Sequence, residues 1–378
     1  MKIIQVVNVR FFNATAWYAL YLSRLLIQAG HEVYVLGLEG TESFAKGRSW
    51  GLPMYSLPLN TQTPWGLIRL YRDLNRLITN FKPDIVNCHR GESFILWGLL
   101  RRLKGGFKLV RTRGDQRLPK ANIFNQVLHR RMTDAVISTN TRMTKHFATS
   151  FHLAPDHLFQ VIGGVDHSIF HPDPRARAQV RREWGYDDQD MVIGLVGRFD
   201  RVKGQKELIE AVARAATLPR SYKVKLMLLG FETDTSEAQV RQWIRDNKME
   251  AITVITGKRA DVAACINALD VGVVASLWSE TIARAALEIM ACAVPLIGTS
   301  VGVMPDLLAP HALVPPGDVT ALTACLNRCL KEPVFLQTLR MEQASRMKNL
   351  SEGSFLSQTL AIYEALVDST DIYIPQQD

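Results

Sequence analysis

What constrains this chain most is its rhythm. Short apolar runs rich in β-branched residues recur between stretches whose apolar residues fall at helical spacing, and they do so over most of the 378 residues. A strand that reads as an unbroken apolar run is buried on both faces, and strands separated by helices return parallel, so the pattern specifies doubly wound parallel α/β sheets. In the first half the runs predict strands at 2–7, 32–37, 85–88, 107–112 and 135–138, with a first crossover helix over 15–30. The pattern resumes after Asp156, with strands expected at 158–162, 192–196, 225–229, 253–256, 271–274 and 295–297. Helices are expected between them at about 206–216, 237–247, 262–268 and 284–292.

At about 150 residues per domain the length suggests two domains. The join is expected at Gly163-Gly164-Val165-Asp166, because paired glycines absorb backbone rotation cheaply. The expected division is 1–165 plus about 355–378, and 166–354. Two such Rossmann-like halves are expected to face each other across a cleft at the carboxyl ends of their strands, where open α/β sheets bind ligands.

Charge separates the halves. Residues 1–165 hold 22 Lys/Arg and 9 Asp/Glu, whereas residues 166–378 hold 23 and 27. The basic first half favours anionic partners. Its cations are concentrated from Arg101 to Arg131, interleaved with apolar Phe107, Leu109, Leu118 and Phe124. That mixture suits an anionic lipid surface or a phosphorylated glycolipid as well as it suits an ordinary solvated face. No nucleic-acid motif accompanies it, and nucleic acid is not an expected partner. The sequence has no secretory leader pattern and no apolar run of about 18 residues, so a cytoplasmic chain, peripheral at most to the inner face of a membrane, is expected. Five cysteines without Cys-x-x-Cys spacing suggest reduced, structural thiols and no zinc site.

Two constellations carry chemistry. After the strand ending at Val196 comes Gly197-Arg198-Phe199-Asp200-Arg201-Val202-Lys203-Gly204. Glycines let backbone amides approach an anion, Arg198 offers a bidentate fork, and Lys203 offers a mobile point charge, which suits a diphosphate. The same residues also make a solvated basic turn. The second constellation is Glu280 and Glu288, with the amides of Thr281, Ile282 and Ala283 at a helix start between them. Eight residues separate the carboxylates by roughly 12 Å, too far to share a proton but matched to the two ends of a sugar nucleotide. An anionic phosphate is stabilised at the helix start between them.

Taken together, the Gly-Arg-x5-Gly loop at Gly197–Gly204 and the Glu-x7-Glu motif at Glu280–Glu288 resemble those of the retaining GT-B glycosyltransferases of family 4. The resemblance extends over nearly the whole chain. It implies the GT-B fold, with the nucleotide-sugar donor in the second domain and the acceptor on the first. It implies that Arg198 and Lys203 bind the donor diphosphate, with Gly197 beside them, that Glu288 holds the ribose, and that Glu280 contacts the transferred sugar. It also implies that no metal or other cofactor is used, and that a last helix over 355–367 crosses back to the first domain.

The chain departs from the family in two places. Phe11-Phe12-Asn13-Ala14 stands where paired glycines approach the donor phosphates, leaving Asn13 and Ala14 as the backbone positions there. In Arg111-Thr112-Arg113-Gly114-Asp115, Gly114 occupies the usual histidine position. The acceptor-side candidates are therefore His89, Arg113, Gly114 and Asp115. The expected activity is transfer of a hexose, by default from UDP-hexose, to a cell-surface glycan or glycolipid such as a lipopolysaccharide or surface-polysaccharide precursor. A sugar-nucleotide epimerase and a non-catalytic sugar-nucleotide binder are the alternatives.

Overall fold

The computed structural model describes residues 1–217 and 222–368. The chain forms two compact units, Met1–Gly163 together with the residues from Gly353, and Gly164–Glu352.

The first unit contains β1 (Lys2–Val6), β2 (Glu32–Gly37), β3 (Met54–Ser56), β4 (Ile85–Cys88), β5 (Lys108–Arg113), β6 (Ala135–Ser138) and β7 (Leu158–Gln160). They lie in the order β3-β2-β1-β4-β5-β6-β7, and every adjacent pair is parallel. Every residue of β4 and β6 is buried, which explains their mostly apolar character and obliges the polar Asn87 and Ser138 to find partners inside. The crossover helices start where Asn or Thr precedes them, except Phe94–Lys104, which follows Ser93 without a side-chain cap. Asn13, Thr41, Thr63, Asn122 and Asn140 each accept a hydrogen bond from a first-turn backbone N–H. The main core on one face gathers Leu70, Leu74, Trp97 and Leu100 against β1, β4 and β5.

The C-terminal helix Glu352–Asp368 completes this unit. Phe355 packs edge-on against Tyr18 at a centroid distance of 4.6 Å. The Tyr363 hydroxyl, fully buried, accepts from Asn87 Nδ2 at 2.7 Å and from Gln5 Nε2 at 3.3 Å. Both amides project from central strands. The helix thus supplies the polar partner that two buried core amides require.

The second unit contains β8 (Met191–Val196), β9 (Val224–Leu229), β10 (Thr253–Ile255), β11 (Val271–Val274), β12 (Leu296–Thr299) and β13 (Leu313–Val314). Their order is β10-β9-β8-β11-β12-β13, again parallel throughout. The strand order reverses between β1 and β4 in one sheet and between β8 and β11 in the other. Crevices outside the carboxyl ends of such strands are where ligands bind. The loops after β8 and β11 carry Arg198, Lys203 and Glu280. The chain passes between units at Gly163–Gly164 and again at Glu352–Gly353. Those passages are tied by a parallel bridge between Val165 and Ser351, in which Val165 N donates to Leu350 O at 3.0 Å.

Two details refine the sequence reading. The run at 158–162, read with the resumed pattern but inside the expected first division 1–165, is β7 and closes the first sheet against β6. The edge strands β3 and β13 were not expected; at three and two residues they are too short to show periodicity. The helix bearing Glu288 runs Arg284–Ala291, close to the expected 284–292, and Glu288 is its fifth residue, about one turn in. Among the described residues no helix is long and apolar enough to cross a membrane.

Tyr363→Phe leaves both amide donors without their partner and should cost roughly 1–3 kcal/mol. The loss should appear in chemical denaturation as a lower midpoint for the first unit, with native-like circular dichroism before the transition.

Candidate functional site

In the second unit, the chain leaving β8 is pinned to the neighbouring strand by Gly197 N donating to Leu229 O at 3.0 Å. Asp200 then organises the turn. Its Oδ1 accepts from Val202 N at 3.0 Å, capping the short helical turn Arg201–Lys203, while its Oδ2 accepts from Arg198 Nη2 at 2.7 Å. Gln205 Nε2 donates to the Arg198 carbonyl at 2.8 Å. Arg198 is therefore held at both ends, although its side chain remains 47% exposed. Gly204, in the left-handed conformation, leads into the helix Gln205–Ala216.

Lys203 reaches across to the loop after β11. Its Nζ donates to Glu280 Oε1 at 2.5 Å, and the Ser276 hydroxyl donates to the same oxygen. The Glu280 side chain is 8% exposed, so a carboxylate taken from water is compensated by one full charge and one hydroxyl. The Glu280 backbone is fixed as well, by Val303 N donating to its carbonyl at 2.7 Å. This contact depends on Gly302. Its φ is +57°, and a Cβ there would lie 1.8 Å from the Glu280 oxygen.

Beyond Glu280, Ala283 is the N-cap of helix Arg284–Ala291 and has the left-handed conformation, φ 49° and ψ 50°. No side chain caps this helix. An alanine in that region is strained, and such strain concentrates at binding sites. One turn in, Glu288 is buried and bonded to Arg284 Nε at 2.8 Å. Burial raises its carboxyl pKa, against the opposing pull of Arg284.

The first-unit candidates assemble separately. Thr15 Oγ1 donates to the Gly114 carbonyl at 3.1 Å, setting Gly114 beside the start of the helix Ala14–Gln28. At that start, Asn13 uses its side-chain oxygen to cap Ala16 N at 3.1 Å. Arg113 and Asp115 form an ion pair at 3.1 Å, and Arg90 and Arg111 each stand 3.7 Å from the same carboxylate.

His89 is a correction. It is fully buried, its Nε2 bonded to Gln5 Oε1 at 2.7 Å, and burial together with the Arg111 charge lowers its pKa to about 3. The strand-end position had suggested an open face, but β4 is covered on both sides and the ring continues into the core. His89 is a neutral core histidine.

Sequence reasoning missed Asp200, Ser276, Gly302 and Arg284. Arg284 and Glu288 were legible as an i,i+4 charge pair. Ser276 and Gly302 leave no such signal: Ser276 reaches Glu280 within one irregular turn, and Gly302 reaches the Glu280 backbone from 22 residues further along the chain.

Residues 15–169 match the family described as Glycosyltransferase Family 4, and residues 190–332 match Glycosyl transferases group 1. The chain carries the two halves of a GT-B glycosyltransferase. The second match contains Arg198, Lys203, Glu280 and Glu288, and the first contains Arg113, Gly114 and Asp115. The chain is similar to the MMP alpha-(1->4)-mannosyltransferase of Mycolicibacterium hassiacum, at 24% identity over 93% of this chain and 94% of that protein. A glycosyltransferase from Rickettsia africae has the same fold, with TM-score 0.84 and 16% identity over 98% of this chain and 99% of that one. So does Anabaena Alr3699/HepE, solved in complex with UDP-glucose, with TM-score 0.76 and 18% identity over 97% of this chain and all of that one.

Two outcomes follow for this GT-B chain. Gly302→Ala, strained in φ and in collision with the Glu280 backbone, should destabilise the second unit by roughly 2–3 kcal/mol, measured by denaturation. Glu288→Gln behaves oppositely. Because the folded pKa of Glu288 is raised, the folded state holds that proton more tightly than the unfolded one, and stability falls as pH rises from the usual carboxylate range towards neutrality. The amide removes that slope, so at neutral pH its melting temperature should equal or exceed the wild type.

Proposed function

We propose that this protein is a retaining, metal-independent hexosyltransferase that uses UDP-hexose and acts on a cell-surface glycan or glycolipid acceptor, such as a lipopolysaccharide or polysaccharide precursor. The observation that carries the reading is the Lys203–Glu280 pair beside Arg198, at the reversal point of the second sheet. Two cations lie where a diphosphate needs compensation, and a carboxylate already oriented by Ser276 lies next to them. The UDP-glucose bound by the Anabaena relative supports the choice of donor.

In this reading the C1–O bond of the donor breaks as the acceptor hydroxyl oxygen bonds to C1 from the same face. The departing phosphate oxygen takes the acceptor's proton, so no side-chain base is required. Arg198 and Lys203 stabilise the charge that grows on the diphosphate, and the uncapped start of helix Arg284–Ala291 adds its partial positive charge. Both bonds to Glu280 fall on Oε1, which leaves Oε2 to receive a sugar hydroxyl. Glu288 accepts the ribose hydroxyls, with Arg284 balancing its charge. Among the described residues no group of three or more His, Cys, Asp or Glu is arranged to hold a metal ion; in this scheme the two cations carry that charge.

The acceptor side falls to the first unit, whose surface also suits contact with an anionic membrane. Ile95, Leu99 and Leu103 form an exposed i, i+4, i+8 stripe on helix Phe94–Lys104, and Ile123, Phe124 and Val127 are exposed on helix Ile123–Arg131. The two helices touch at Gly98, where an added Cβ would lie 2.8 Å from Leu128. Arg102, Lys104, Arg130 and Arg131 are on the same helices. Apolar side chains with flanking cations favour anionic lipid.

Arg198→Ala and Lys203→Ala should each lower turnover of UDP-hexose by about a hundredfold, the scale of losing one charge-stabilising donor. Glu288→Gln should weaken UDP binding about tenfold, the worth of a hydrogen bond to a charged group. The rate should be unchanged by chelator, and the product should keep the donor's anomeric configuration by NMR. Near wild-type turnover in both cation variants, or release of an epimerised donor, overturns the proposal.

A further inference from the structure

We propose that a cavity in the first unit, at the carboxyl ends of β4 and β5, binds the phosphorylated head of the acceptor, a sugar or polyol phosphate. This rests on the reading of the first unit as the acceptor-binding half.

The cavity has a volume of about 770 Å³, within the range of small-molecule sites. Its walls are unequal in charge. Arg90, Arg111, Arg113, Arg117 and Lys120 line it, against only Glu92 and Asp115. The carboxylates are already committed. Glu92 takes both Nε and Nη2 of Arg90, at 3.3 and 2.6 Å, and Asp115 is shared among three guanidinium groups.

The sharing is incomplete, and that points to a ligand. Arg111 has a fully buried side chain, and its Nη1 donates to the carbonyls of Cys88 and Thr112 at 2.6 and 2.8 Å. Its Nη2 has no hydrogen-bond partner, because the Asp115 oxygen 3.7 Å away is too distant to be one. Arg113 Nε is buried and unpartnered as well. Burial and the Arg113 charge lower the Arg111 pKa to about 9, so it is still cationic at neutral pH. A buried guanidinium N–H without an acceptor is costly, and two in the wall of one cavity suit an oxyanion with several acceptor oxygens.

The opposite requirement is met nearby. His129 Nδ1 donates to Asn125 O at 2.8 Å, and burial lowers its pKa to about 3, so its Nε2 is a bare lone pair. That atom is buried and has no partner, and His129 is among the residues that line the same cavity. Phe94 joins the two features: its ring lies 5.3 Å from the Arg111 guanidinium carbon and 5.3 Å from the His129 ring. A ligand that satisfies all three orphaned atoms carries an anion and, beside it, a hydroxyl that donates. Inorganic phosphate supplies the anion without a carbon-borne hydroxyl held beside it; a sugar or polyol phosphate supplies both.

The test is calorimetry on the full-length protein with hexose 1- and 6-phosphates, myo-inositol 1-phosphate, the unphosphorylated sugars and inorganic phosphate. At least one sugar or polyol phosphate should bind at least tenfold more tightly than both its parent sugar and inorganic phosphate, and Arg113→Met should remove that advantage. Arg111 also supports two backbone carbonyls and its substitution risks misfolding, so the exposed Arg117→Glu serves as the second variant, with about tenfold weaker binding expected. Equal binding of phosphorylated and unphosphorylated sugars, or wild-type affinity in both variants, overturns the assignment. Vesicles of phosphatidylcholine with and without phosphatidylinositol separate the sources. Recruitment that needs phosphatidylinositol and is lost in Arg117→Glu indicates a lipid-linked head, and tight binding of the free sugar phosphate indicates a soluble one. Donor hydrolysis by the wild type is followed in parallel. Hydrolysis without phosphate selectivity strikes this inference alone, whereas absence of any donor turnover strikes the glycosyltransferase reading itself.

Discussion

A parallel strand cannot turn back on itself; it must be returned by a crossover, and so all strands of a parallel sheet end at the same edge. Both sheets here obey that constraint in every adjacent pair. Loops that follow β8 and β11 therefore emerge side by side although about eighty residues lie between them, and Lys203 meets Glu280 across that gap. The same rule in the first sheet gathers Arg90, after β4, with Arg113 and Asp115, at the end of β5. Chemistry in each unit is assembled from short loops whose origins are fixed by the sheet.

Carboxylates are used differently in the two units. In the second, the acids are paired before any substrate arrives: Asp200 with Arg198, Glu280 with Lys203, Glu288 with Arg284. Each cation is held and each buried acid is compensated, so in the proposed reading a ligand exchanges partners within a prepared network and creates no bare charge. In the first unit one aspartate serves three arginines, and buried N–H groups are left over. One network is balanced, and the other is short of negative charge.

The central strands were plain in the sequence because burial on both faces leaves a readable composition. The runs at Glu32–Gly37, Ile85–Cys88, Ala135–Ser138 and Val271–Val274 needed no adjustment. Edge strands β3 and β13 lacked that burial and length. The run at Leu158 was read as a strand inside the expected first division, but an apolar run carries no mark of its neighbours, and only the pairing with β6 shows which edge it closes. Motif spacing brought out Arg198, Lys203, Glu280 and Glu288, but not what holds them. Ser276 and Gly302 act through turns, and their roles depend on distances of a few ångströms that spacing along the chain does not encode. His89 shows the converse: the strand-end rule gave its place, and the direction of one side chain decided its character.

The last helix deserves a different accounting, in time. Gln5 and Asn87 belong to strands made early in synthesis, yet the hydroxyl they bind is Tyr363, beyond the whole of the second unit. While the chain emerges from a ribosome, the first unit has its sheet but lacks the helix that covers two buried amides and the Tyr18 ring. The second unit has no such debt and can close as soon as its own residues are made. The part synthesised first is thus the part completed last, and until the C-terminal helix docks, the opening on the first unit is where a chaperone would find exposed core.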